Sequence, residues 1–197
     1  MSQDRIAAHF QSSLDGLTKA VQSADLRTTT HTIARAVADA LKSGNKLLLI
    51  GNGGSAADAQ HIAAEIVGRY KQERPGWAAI ALTTDTSALT AIANDYGFEQ
   101  IFARQVQGLA KRGDVLFALT TSGRSPNILA ALKMARDLGV TTVGFTGTKG
   151  ESMRAACDHL FVSPTDDTPV VQQIHMMAMH AICDEVEQAL IAVTKAK

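Results

Sequence analysis

Apolar residues in the first part of the chain recur at three- and four-residue steps. They are Ile6, Phe10, Leu14, Leu17 and Val21, then, after a polar break near Ser23 to Thr30, Ile33, Ala34, Val37, Ala40 and Leu41. That period puts them on one side of a helix, so two helices are expected, the second closed by Ser43-Gly44. From Lys46 the pattern changes to short runs rich in apolar residues: Lys46 to Ile50, Ala78 to Leu82, Val115 to Leu119, Thr141 to Phe145 and His159 to Val162. Helical stretches stand between them: Ser55 to about Tyr70, Thr86 to about Ala110 with an interruption at Asn94-Asp95-Tyr96-Gly97, Pro126 to Leu138 closed by Gly139, and a short helix after Gly150. A polar loop with Pro164 and Pro169 introduces a last long helix, to about Val193. Strands alternating with helices at this spacing predict an α/β fold: a doubly wound, five-stranded parallel sheet flanked by helices, with two N-terminal helices and a long C-terminal helix.

In such sheets ligands sit outside the carboxyl ends of the strands. Those ends carry Gly51 to Ser55, Thr83 to Asp85, Thr120 to Ser125 and Thr146 to Gly150. Glycines in the first loop permit positive φ and close approach of a ligand to the backbone. Ser55 with Asp58 three residues on has the form of a capping box, and the free amides of such a helix start suit an anion. Ser125 is expected to cap the next helix, with Pro126 at its first position. The hydroxyl-rich loops have no Walker lysine and suit a phosphorylated, polyhydroxy ligand. Gly51-x-Gly53-x-x-Ala56 also meets the dinucleotide fingerprint, but no acidic residue ends a second strand at the required distance.

Asp58, His61, Glu65 and Arg69 fall on one face of the helix that follows the glycine loop. A histidine and a carboxylate four apart can converge on one metal ion or substrate atom; the ordinary alternative is an ion pair worth about 0.2–0.5 kcal/mol. Gln172, Gln173, His175 and His180 bring polar groups into the otherwise apolar segment 170–192. A single buried histidine there is usually a hydrogen-bonded core residue; two beside His61 and Glu65 suggest further ligands.

Nineteen basic residues balance nineteen acidic ones, so no net field recommends nucleic acid or an anionic membrane as partner. Cys157 and Cys183 are too few and too isolated for a disulfide framework. The N-terminal segment has no signal-peptide pattern, and no apolar run approaches the ~20 residues a membrane helix needs. A soluble intracellular protein is expected. Lys71 to Arg74 and Lys195-Ala196-Lys197 read as solvated charge, and His9, His31 and His159 as structural or surface residues.

GNGGSAADAQHIAAE, RPGWAAIALTTDTSALTAIANDYGFE, TTSGRSPNILAAL, GFTGTKG and QQIHMMAMH occur in this order and spacing. Together they resemble the phosphoheptose isomerases of the sugar-isomerase (SIS) domain superfamily, over about residues 1 to 190. The resemblance implies one SIS domain over 1–197, with N-terminal helices over 1–44 and an α/β core over 45–197. It implies an aldose-ketose isomerase acting on D-sedoheptulose 7-phosphate to give D-glycero-D-manno-heptose 7-phosphate, the first step of activated-heptose synthesis for lipopolysaccharide core or other surface glycans. It further implies a cytoplasmic homotetramer with active sites at subunit interfaces and one zinc ion per subunit. The matching zinc positions are His61, Glu65, Gln172 and His180, and the catalytic pair is Glu65 and His180. The matching substrate positions are Asn52, Gly53, Gly54, Ser55, Glu65, Asn94, Asp95, Thr120, Thr121, Ser122, Ser125 and Gln172.

Gln172 and His180 are eight residues apart, ~12 Å along a regular helix. They can share an ion only if Gln172 precedes the helix or the two come from different subunits. Two segments depart from the family. Val170-Val171-Gln172-Gln173 stands where many relatives read Arg or Lys, Ile, Gln, Glu, and Arg124 replaces the usual Asn in the hydroxyl loop, where it can add a phosphate contact. The main alternative is a non-catalytic SIS-domain homotetramer that binds the replication initiator protein. Such paralogues usually lose the acid and the histidine that stand here as Glu65 and His180. A sugar-phosphate-sensing transcription factor would need a DNA-binding domain and a basic patch.

Overall fold

The computed structural model of the chain describes residues 4–195. Five parallel strands, β1 (Leu47–Gly51), β2 (Ala79–Ala81), β3 (Val115–Leu119), β4 (Thr141–Thr146) and β5 (His159–Val162), form one sheet in the order β2-β1-β3-β4-β5. The helices are α1 (Arg5–Gln22), α2 (Ala24–Lys42), α3 (Gly54–Val67), α4 (Thr86–Tyr96), α5 (Ile101–Leu109), α6 (Pro126–Asp137) and α7 (Thr168–Lys195), with 3-10 turns at Phe98–Gln100 and Thr148–Ala156. No helix among the described residues is long and apolar enough to cross a membrane.

All of β1 and β3 is buried because both sheet faces are covered. Leu47, Leu49, Val115, Phe117 and Phe145 face the layer of α2, α3 and α7. Leu48, Ile50, Leu116 and Ala118 face Phe102 and Val106 of α5 and Ile128 and Leu132 of α6. Register pairs Leu47 with both Ala79 and Val115. The chain order reverses between β1 and β3, so the loops after these two strands flank the switch-point crevice.

Several expectations need correction. The break between the first helices is Ser23 alone, which caps α2 by accepting from Leu26 N. The apolar stripe of α1 turns outward: Ile6, Phe10, Leu14 and Val21 are 58–69% exposed, while Gly16 and Ala20 are the buried positions of that helix. Ser55 does not cap α3. The chain turns at Gly53 (φ 57), which takes the cap position, and Ser55 is buried inside the first turn. Asp58 therefore closes no capping box, and its buried Oδ2 has no hydrogen-bond partner among the described residues. Ser125 and Pro126 take their expected places at the start of α6, but Ser125 Oγ turns to Thr120 Oγ1 (3.1 Å) instead of a helix amide.

Helix α3 ends at Val67, short of Tyr70, so Arg69 lies beyond it and pairs loosely with Glu73 (3.7 Å). The cause is tertiary. The buried Glu187 carboxylate accepts from the amides of Tyr70, Lys71 and Gln72 and draws the backbone off the helical path. Arg74 is likewise not solvated charge: it is 3% exposed and ion-paired to Glu187. Lys71 stays exposed, paired with Asp184. Ala196 and Lys197 lie outside the described residues.

Candidate active site

The site forms along two neighbouring helices. Helix α3 descends from the glycine loop, and α7 runs beside it in the same direction: Gln172 meets Ser55, His180 meets His61, and Glu187 meets Tyr70 just past the end of α3. At the top, Gln172 Nε2 donates to Ser55 Oγ (3.5 Å). A Cβ on Gly54 would stand 2.6 Å from that same nitrogen, so a side chain there would displace the Gln172 amide. Further down, His61 Nε2 lies 3.1 Å from Glu65 Oε1 and 3.3 Å from His180 Nε2. Ligand atoms of His61, Glu65 and His180 all fall within 4.8 Å of one another. The i,i+4 pair of the sequence is thus completed by a histidine from a second helix.

This donor set fits a metal. Two imidazole nitrogens and a carboxylate are ordinary ligands for zinc. Nitrogens about 2.0–2.1 Å from a tetrahedral ion stand roughly 3.3 Å apart, the separation seen between the two histidines. Gln172 is not at or before the helix start: α7 begins at Thr168 and Gln172 lies in its first turns. One open cavity of about 680 Å³ nevertheless touches Asp58, Gln172, Gln173 and His180. Burial pushes the Asp58 carboxyl above its usual range against the opposing pull of His61.

The other expected residues group at the switch point. Asn52 and Asn127 exchange paired amide hydrogen bonds (3.0 and 2.9 Å), tying the loop after β1 to the start of α6. Thr120 is 5% exposed and shares its hydroxyl with Ser125; Ser122 Oγ accepts from Arg124 N, and Thr121 O accepts from Gly147 N. Arg124 lines a separate cleft with Lys133 and Arg136. Asn94 and Asp95 lie exposed at the end of α4, bonded to each other (2.8 Å), and no hydrogen bond among the described residues joins them to these loops.

His175 is a core residue, fully buried with Nε2 against Thr146 O (3.2 Å); burial lowers its pKa to about 4, partly opposed by that hydrogen bond. His31 pairs with Glu185. Val170 is buried beneath α1, where a Cβ on Gly16 would meet it at 2.5 Å, so the departure at this position serves packing. Sequence reasoning missed Tyr70, whose ring stacks on His180 (5.7 Å between centroids, 22°), and Asn127, Arg74 and Glu187. Arg74 was visible only as part of a charged run read as solvated, and nothing local marks Glu187.

A doubly wound parallel sheet with a hydroxyl-lined switch-point loop and a His-Glu-His cluster defines the class: an α/β ligand-binding protein with a candidate metal centre. Residues 9–147 match the SIS domain family. The chain is 60% identical over 190 residues to the phosphoheptose isomerase of Bradyrhizobium sp. strain BTAi1, covering 96% of each. The structure of phosphoheptose isomerase GmhA from Neisseria gonorrhoeae superposes with a TM-score of 0.88 at 41% identity, covering 94% of this chain and 98% of that one. A phosphoheptose isomerase from Francisella tularensis superposes at 0.90 and 36% identity, covering 94% and 97%. The chain belongs to the SIS domain family and, within it, to the phosphoheptose isomerases.

Proposed function

We propose that the protein interconverts D-sedoheptulose 7-phosphate and D-glycero-D-manno-heptose 7-phosphate, feeding activated heptose to lipopolysaccharide core or other surface glycans. The observation that carries this reading is the convergence of His61, Glu65 and His180 two to three turns along the helix that leaves the glycine loop. The phosphate is assigned to the hydroxyls of Thr120, Thr121, Ser122 and Ser125, and the sugar to Asn52, Asn94, Asp95, Gln172 and the backbone of Gly53, Gly54 and Ser55.

The reaction moves one proton between C1 and C2 and another between their oxygens, so it needs a base and an acid. Glu65 is the base. Its Oε1 faces His61, while Oε2 has no hydrogen-bond partner among the described residues and is free to take the carbon proton. His180 serves the oxygens, its ring held between the edge of His61 and the face of Tyr70. We infer zinc as the ion, one per subunit, held by His61, Glu65 and His180; when bound it polarises the carbonyl and the adjacent hydroxyl as a Lewis acid. Gln172 stands ~12 Å along α7 from His180, so as a fourth ligand it comes from a second subunit. The outward stripe Ile6, Phe10, Leu14 and Val21 supports self-association, and we take the assembly to be the cytoplasmic homotetramer that the family resemblance implies.

The test is product formation from sedoheptulose 7-phosphate by purified protein, with zinc added and with zinc chelated. Turnover that needs the metal and is lost in Glu65→Gln and His180→Gln is expected. An intact, zinc-loaded oligomer without turnover contradicts the reading and favours the replication-associated scaffold.

A further inference from the structure

Past the metal cluster the same helix pair carries a second polar assembly that the reaction does not use. Glu187 is fully buried and Arg74 is 3% exposed. Taking an ion pair out of water is costly, and apolar residues of similar volume would hold a core as well, so this pair calls for a reason beyond packing. Burial pushes the Glu187 carboxyl up, but its hydrogen bonds from the Lys71, Gln72 and Tyr70 amides and from Arg74 outweigh that and hold it below the usual range.

The connections lead to the cluster from both sides. Arg74 Nη2 donates to the carbonyl of Glu65 (2.8 Å), and Nη1 donates to Ile66 O (2.8 Å) and Gly68 O (3.0 Å). Its Nε donates to Glu187 Oε1 (3.2 Å), and its guanidinium lies 3.8 Å from the centre of the Trp77 ring. Glu187 stands seven residues beyond His180 on α7, two turns along the same face. The Glu187 carboxylate also holds the amide of Tyr70 (3.0 Å), the residue whose ring stacks on His180. One hydrogen-bonded path thus runs from the peptide of Glu65 through Arg74 to α7, and a second connection runs from Glu187 by a hydrogen bond to the Tyr70 amide and then by ring stacking to His180.

We propose that Arg74 and Glu187 are positioning residues for the metal cluster, fixing α3 against α7 so that Glu65 and His180 keep the spacing one ion requires. This rests on the metal-centre reading above. Partners that orient metal ligands typically contribute 10–100-fold to metal affinity.

The experiment compares zinc affinity, by chelator competition, and the visible spectrum of the cobalt-substituted oligomer in wild type, Arg74→Lys, Glu187→Gln and Lys46→Met. Lys46→Met breaks the other buried ion pair, Lys46–Asp114, before β1 and β3, and reports a purely structural loss. Zinc binding about 10–100-fold weaker with an altered cobalt spectrum is expected in Arg74→Lys and Glu187→Gln, with wild-type affinity in Lys46→Met despite a lower melting temperature. Should Glu187→Gln fail to fold, Arg74→Lys, which keeps the charge and loses the fork, decides alone. Wild-type affinity and spectrum in Arg74→Lys, or an equal loss in Lys46→Met, overturns the proposal. A wild-type protein that takes up neither zinc nor cobalt overturns the metal-centre reading along with it.

Discussion

His175 shows how far burial can separate two histidines on one helix. His180 faces the cavity and the cluster, whereas His175, five residues earlier, is sealed among Phe145 and Phe161 with its pKa lowered from 6.5 to about 4. The unfolded chain takes up this proton at higher pH than the folded one. Stability is therefore full above about pH 6.5 and falls as the pH drops from there through 4, by roughly 3 kcal/mol at most from this residue. Replacing His175 by Gln, which keeps a donor for Thr146 O, is expected to flatten that slope; chemical denaturation of both proteins at pH 7, 5.5 and 4.5 checks it. Hydropathy and spacing alone left His175 and His180 interchangeable, because both lie in one apolar run; only the family resemblance singled out His180. Their different fates depend on which face of α7 meets the sheet.

Among the elements, strands were the most legible. Runs such as Val115 to Leu119 and His159 to Val162 appear with the expected bounds, since a strand covered on both faces is written as continuous apolar sequence. Helix ends were less so. Gly53, not Ser55, starts α3, and Glu187, more than a hundred residues away, ends it. Capping and termination there follow from tertiary hydrogen bonds that local spacing does not encode. The same holds for Asn127, which fixes Asn52 from the first turn of α6 while 1% exposed. Asn127→Ala leaves the Asn52 amide unpaired, so we expect a loss of about 1–3 kcal/mol in stability and a raised KM, read by thermal melting and steady-state kinetics. A wild-type KM in that variant would remove Asn52 from the substrate contacts.

At the scale of the molecule, the order β2-β1-β3-β4-β5 sets the loops after β1 and β3 side by side, and α3 leads down from that crevice to His61 and Glu65. The alternation of strands and helices made this architecture legible, and the resemblance pointed to His180 as the partner of the His61–Glu65 pair. The orientation of α1 was not: its period marks a helix, but nothing in the period says that Phe10, 69% exposed, faces away from its own core. Phe10→Glu is expected to shift the assembly toward smaller species while each subunit stays folded, as sedimentation and circular dichroism would show. An unchanged sedimentation profile would remove that stripe from any interface between subunits.

The proton that moves between C1 and C2 is assigned, in the proposed function, to Glu65. Running the zinc-loaded protein with sedoheptulose 7-phosphate in D2O and following carbon-bound deuterium by NMR tests this assignment most directly. Deuterium entering sugar carbon with wild type, and neither product nor label with zinc-loaded Glu65→Gln, is the predicted result; label entering at the wild-type rate in Glu65→Gln would contradict it.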